Sequence, residues 1–397
     1  MSQTVAARRA ILDSIDGDWI ADVCRRMVEI PSVTMHEQDV CVMFEQELRS
    51  LGLAVDVREV TAGRNNLYAR ILGTGDGPAL NFNGHLDTIP NANDQPCRLE
   101  GDRIYGRGTT DMKGGMAAAL GAARAILQSG VKLRGDVILS AVVGHEEPEA
   151  EKDGPRALIE DINNGRLKGD RILIVEGRDA LWIMSMGSLN FRITLTSDKG
   201  GTHTQYVPFA DNPIRYVGEL IGRIHEFQQE LDLTTSHPLA GPERIDVGIL
   251  EAGDYYNRTP SQCLLVGTRR WTPGKTANTV LDELRSLVEP IASAGGLELD
   301  VRMELEREPF ETPADDPAVL ATAAAHKQVT GTDADIVGLR IVGDANLYVE
   351  GCGVPTFYYG PSNETAHSDN EWVSIQRMSS AARVYAMTAA TFCGIAD

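Results

Sequence analysis

A chain of 397 residues is longer than one hydrophobic core comfortably serves, so two domains are expected. Its 42% apolar and 24% charged residues, with 39 Gly and 18 Pro, exclude the collagenous, low-complexity and disordered classes. A net charge of −20, spread without long runs of like sign, argues against nucleic acid and anionic membranes as partners.

The N-terminal sequence meets Asp13, Asp16 and Asp18 before any apolar run long enough for a signal peptide. No segment reaches the ~18 apolar residues of a membrane span, and a cytoplasmic protein is expected. The six cysteines form no C-x-x-C pair and read as buried reduced thiols. From Asp18, the positions Ile20, Val23, Met27 and Ile30 recur at helical spacing until Pro31. A second helix is predicted over 37–50, ended by Gly52.

Strand-like runs then alternate with helices: strands over 53–57, 66–72 and 79–83, a long Ala-rich helix over 112–128, and strands over 137–143 and 172–175. Apolar β-branched runs of this kind suit a sheet covered on both faces, so a doubly wound α/β layer is predicted. Near Gly187 the pattern changes to strands over 190–196, 244–249, 262–270 and 297–304, interspersed with helices over 213–231 and 277–292. This reads as an inserted α+β module. Helix 317–330 and strand 354–359 return to the first layer. The predicted division is a catalytic domain over 1–186 and 305–397, interrupted by the insertion 187–304.

The chemistry-bearing residues fall just past strand ends. His85 and Asp87 follow one strand, Glu146 and Glu147 another, Glu176 a third and His367 the last, while Asp111 opens the Ala-rich helix. In an open α/β sheet, ligands bind at the C-terminal strand edge, so these distant residues converge there. Two imidazoles with three carboxylates suit zinc, or manganese and cobalt, and supply enough donors for two ions bridged by one carboxylate. The Glu146–Glu147 pair then offers one carboxylate to a metal and one to a proton. Each feature alone has a plainer reading: a lone histidine is commonly structural, adjacent glutamates are commonly surface, and an Asp at a helix start is commonly a cap. Their joint order along the chain outweighs these.

The stretches NGHLDTIP (83–90), GRGTTDMKGG (106–115), GHEEPEAE (144–151), IVEGR (174–178) and TAHSDNEW (365–372) resemble the zinc peptidase and deacylase family of acetylornithine deacetylase, succinyl-diaminopimelate desuccinylase and glutamate carboxypeptidase. The resemblance implies His85 and Glu176 on one ion, Glu147 and His367 on the other, and Asp111 bridging. It implies Asp87 orienting His85, Glu146 as general base, and a cis peptide after Asp111. It makes the insertion a ferredoxin-like lid and dimerisation domain, hence a homodimer through 187–304. Within GGTHT (200–204), His203 matches a histidine that polarises the scissile carbonyl. Arg270 matches a clamp for a substrate carboxylate, with Asn257 a polar lid residue beside it.

Departures include His145, directly before the glutamate pair, where the family usually has Asp or Gly, together with Thr204, Thr268 and Gly343. Glu rather than Asp at 176 is more typical of the family's deacylases. The expected activity is hydrolysis of an amide bond in an N-acyl amino acid or related small carboxylate-bearing substrate, with two divalent ions or a single one. Alternatives are a dipeptidase or aminopeptidase, a hydrolase of another C–N bond such as a carbamoyl or aryl amine, or a degenerate metal-binding protein without turnover.

Overall fold

The computed structural model describes residues 3–91, 96–362 and 364–396. The chain divides into two compact units: Met1–Ile183 with Thr312–Val337 and Leu347–Asp397, and Met184–Glu311 with Gly338–Asn346. The second unit is larger than the 187–304 stretch read from sequence. Segment 338–346 joins it because Arg340 donates to the Ala240 carbonyl at 2.8 Å and its own carbonyl accepts from Arg270 at 2.8 Å. Neither bond leaves a local sequence signal.

In the first unit, Val137–Val142, Leu80–His85, Arg171–Ile174 and Thr356–Tyr358 lie side by side as parallel strands. Every residue of Leu80–His85 and Val137–Val142 is buried, as their apolar content requires. Arg64–Ile71 and Val55–Thr61 extend the sheet antiparallel beyond Val137–Val142, and Leu181–Ser185 does so at the other margin. The predicted layer is therefore present with antiparallel margins; strand direction is not encoded in a residue's apolarity.

Helix Gly114–Ser129 is nearly all Ala and Gly along its first turns, which lets it lie very close to the sheet. A Cβ at Gly115 would fall 1.7 Å from the Val175 carbonyl oxygen, and one at Gly84 would meet Met112 and Met116 at 2.5 Å. This helix starts later than the sequence suggested. Asp111 (φ −126°, ψ 90°) and Met112 (φ −135°, ψ 31°) are not helical, and the peptide bond between them is cis. Asp111 thus belongs to an irregular turn ahead of the helix and is not its cap.

The second unit has the order β-α-β-β-α-β: Gly187–Thr196, helix Pro213–Thr234, Arg244–Ala252, Gln262–Trp271, helix Ala277–Ala294 and Glu298–Arg307. The sheet places the second strand at one margin, then the third, the first and the fourth, all antiparallel. That is the ferredoxin-like arrangement. Leu189, Phe191, Ile193 and Leu195 alternate along the first strand and pack with Val217, Leu220, Val280 and Leu284 of the two helices. The intervening Asn190 and Arg192 are exposed, as a period of two demands for a sheet covered on one face.

Candidate metal centre

His85 ends its strand, Glu176 stands two residues beyond Ile174, and Glu146 four beyond Val142. These are C-terminal ends of adjacent parallel strands, so the sheet itself gathers them. The two carboxylate oxygens of Asp111 face different imidazoles: Oδ1 is 3.0 Å from His85 Nε2 and Oδ2 is 3.2 Å from His367 Nε2. His367 Nε2 also lies 3.3 Å from Glu146 Oε2. Donor atoms of His85, Asp111 and Glu146 all fall within 4.8 Å of one another.

The electrostatics follow from this crowding. Burial disfavours charge on His85, yet the bond and charge of Asp111 outweigh it and hold the imidazole well above its usual pKa. Bonds to Asp111 and Glu146 push His367 up to about 10. Burial works against ionised Asp111, but the two imidazoles keep its carboxyl well below the usual range. Glu176 is pushed up to about 8 by burial and then by the negative charge of Asp111. Buried carboxylates that repel one another, with imidazoles turned toward them, form a mixed N/O donor set that suits a borderline divalent cation.

The shell around these donors is specific. His85 Nδ1 lies 2.9 Å from the Asp87 backbone carbonyl and 3.6 Å from its carboxylate. The Asp87 main-chain carbonyl is thus the nearer partner of the ring, with the carboxylate just beyond it. The carboxylate has other partners: Oδ2 accepts from Thr34 Oγ1 at 2.7 Å and from the Glu146 amide at 2.8 Å. Thr34 Oγ1 accepts in turn from the Glu147 amide at 3.3 Å, so one Asp–Thr pair anchors both glutamates. His145 stacks on His85 with ring centroids 4.1 Å apart and planes 13° apart.

Three residues outside the sequence reading hold the same loops. Glu37, fully buried, accepts from the Gly144 amide at 3.0 Å and receives both arms of the Arg64 guanidinium at 2.9 Å. Glu371 accepts from the amides of Gly108, Thr110 and Asp111. Glu371 could have been found inside TAHSDNEW; Glu37 and Arg64 carry no motif at all.

The remaining predicted residues lie in the second unit. His203 is exposed, and its Nδ1 accepts from the Gln205 amide at 3.1 Å, which leaves the proton of a neutral ring on Nε2. The Asn257 side-chain amide lies 3.1 Å from that Nε2, so these two predicted residues do meet. Arg270 stands in strand Gln262–Trp271 opposite Arg244 and Ser188.

Residues 81–391 match the model of peptidase family M20/M25/M40. The chain belongs to this family. It is similar to a succinyl-diaminopimelate desuccinylase of Alkalilimnicola ehrlichii, 29% identical over 89% of this chain and 94% of that protein. Its fold is that of an aminopeptidase PepT from Bacillus cereus, with a TM-score of 0.80 at 18% identity, covering 95% of this chain and 99% of that one. It is also that of the Bacillus subtilis YXEP protein, described as a dinuclear metal binding peptidase of the M20 family, with a TM-score of 0.71 at 16% identity, covering 94% and 97%. Family membership and the gathered donor set make this chain a metal-dependent amide hydrolase. Among the described residues no helix is long and apolar enough to cross a membrane.

Proposed function

We propose that the chain hydrolyses the amide bond of an N-acyl amino acid or a related small carboxylate-bearing substrate, with two divalent ions, zinc in the first place. The observation that carries this reading is the geometry of Asp111, whose two oxygens address two separate imidazoles at 3.0 and 3.2 Å, as a carboxylate bridging two cations must. His85 and Glu176 would hold one ion, Glu147 and His367 the other. When bound, the ions supply Lewis acidity at the scissile carbonyl and lower the pKa of water.

The chain's own groups do the rest. Glu146 takes the proton of the attacking water and delivers it to the leaving amine. The hydrogen bond that its backbone N–H donates to Asp87 Oδ2 fixes the backbone from which that carboxylate works. His203, with its proton on Nε2, donates to the developing oxyanion, while the Gln205 amide, donating to Nδ1, steadies the ring and Asn257 stands beside Nε2. Arg270 holds the substrate carboxylate, which a guanidinium grips bidentately. A homodimer is assembled through the second unit, where strand Arg244–Ala252 is a free margin of its sheet with Ile249 and Leu250 exposed and helix Pro213–Thr234 exposes Ile214 and Ile221.

The deciding experiment strips the protein with a chelator, reloads it separately with Zn2+, Mn2+ or Co2+, and screens N-acyl amino acids against dipeptides. Release of free amino acid from the acylated set, with dipeptides slower, is the expected result. Faster dipeptide cleavage would replace the deacylase reading with a peptidase one.

A further inference from the structure

The turn that presents Asp111 is wrapped around one buried carboxylate. Glu371, 3% exposed, accepts at Oε1 from the amides of Thr110 (2.8 Å) and Asp111 (3.1 Å). At Oε2 it accepts from the Gly108 amide (3.0 Å) and Arg107 Nη1 (2.6 Å). Its own carbonyl accepts from the Gly106 amide at 3.0 Å. Amides converge in this way only because the chain turns through Gly108 at φ +83°, where a Cβ would strike Thr88 Cγ2 at 2.6 Å. Successive convergent N–H groups make an anion-binding hollow, and here the anion is part of the chain.

The delivery of Glu371 is equally specific. It immediately precedes strand Trp372–Ser374, which pairs antiparallel with Arg103–Tyr105, the strand that runs into the turn. Thr110 Oγ1 donates to the Trp372 carbonyl at 2.7 Å, and Thr365 Oγ1 donates to the same carbonyl at 3.1 Å while accepting from the Trp372 amide. The Thr365–Trp372 loop carries His367, whose backbone holds φ +61°. The segments that supply Asp111 and His367 are thus bound to each other through Glu371 and Thr110, and their side chains meet at 3.2 Å.

We infer that Glu371 is a positioning residue for the metal pair: it fixes the backbone of Asp111 and locks the Asp111 turn to the His367 loop, so that it sets ion affinity without touching an ion. The inference rests on the reading of Asp111 and His367 as ligands. A Gln at this position keeps one acceptor oxygen but turns an NH2 group against a backbone N–H or the guanidinium, so the cradle half-opens while its shape is kept. Partners of this outer kind typically change metal affinity by ~10–100-fold.

The test titrates Zn2+ against a chelating dye with the wild type, Glu371→Gln, Thr110→Val and, as a control for loss of a buried carboxylate charge elsewhere, Glu243→Gln, and records the thermal midpoint of each metal-free protein. The expected result is Zn2+ affinity weakened about 10–100-fold in Glu371→Gln and less in Thr110→Val. Glu243→Gln should lower the midpoint with affinity unchanged. Wild-type affinity in a folded Glu371→Gln overturns the inference. Should that variant not fold, wild-type affinity in Thr110→Val overturns it instead. A wild-type protein that takes up no ion at all, whether Zn2+, Mn2+ or Co2+, overturns the metal reading first and this inference with it.

Discussion

The candidate metal centre of the first unit and the Arg269 cluster of the second partner their carboxylates in opposite ways. In the second unit, the buried Glu243 and the partly exposed Glu283 both meet Arg269 and Lys275, so each anion has permanent cations beside it. In the first unit, the described ion pairs of Asp111 and Glu146 are with imidazoles alone. A guanidinium keeps its protons at any accessible pH, whereas an imidazole can release one and offer the lone pair to a metal. The same residue type is therefore a structural lock in the Arg269 cluster and is left able to meet a cation or a proton in the other, and the partner decides which.

This contrast breaks most sharply on metal removal. Chelation should abolish turnover, with recovery on adding Zn2+, and should lower the thermal midpoint of the protein, since an ion held at ~100 times its Kd adds about 2.7 kcal/mol. Persistent activity in a chelated sample of verified metal content would end the donor reading. Next in size, Glu146→Gln should lower kcat by at least ~10²-fold while the bound metal measured by elemental analysis stays unchanged. Arg269→Met should do the reverse. It leaves the buried Glu243 and the partly exposed Glu283 short of a partner, a change that costs about 3 kcal/mol in denaturant unfolding, with metal content preserved.

Acid sharpens the comparison. Burial raises the Glu243 pKa, but Arg269 and Lys275 outweigh it and the folded value is depressed. Its stabilisation is thus present above the unfolded carboxyl value of about 4.3 and is lost as pH falls below it. His326, beside Tyr359 at 2.8 Å in the first unit, is depressed by burial. The unfolded chain therefore takes up a proton first, and stability conferred by His326 declines as pH falls through about 6.5. Hydrogen exchange should show helix Pro317–Thr330 loosening at higher pH than strand Gln262–Trp271, and His326→Gln should remove that difference. The smallest effect concerns His145. Its ring stacking on His85 predicts Zn2+ binding weakened about 2- to 10-fold in His145→Ala, the equivalent of ~0.5–1.5 kcal/mol for a ring pair, and less in His145→Phe.

What could be read from sequence was what repeats locally or stands at a strand end. Helix Pro317–Thr330 matched at both ends because Pro at its first position and Gly331 after it are strong stop and start signals. The alternation in Gly187–Thr196 and Gln262–Trp271 gave the inserted sheet. Helix Ile375–Phe392 was missed although ten of its residues are buried, because an Ala-rich helix covered on most sides lacks a polar face to set the period. The short sheet of Arg98–Glu100, Arg103–Tyr105 and Trp372–Ser374 was missed because three residues carry no periodicity. At the site, the motifs named the candidate residues, but Thr34 and Glu37 act through backbone amides of a distant loop and Arg64 through Glu37, relations with no signature in residue type.

Gly115 acts as a gauge block. Its backbone rests directly against the Val175 carbonyl, with Asp111 four residues upstream on one side and Glu176 next in chain on the other. The separation of the two backbones that carry those carboxylates is therefore set by bare main chain against main chain, which no rotamer can relax. Even a single added methyl would pry the helix start from the strand end, so the calibration of the donor set is stored in an atom that is missing.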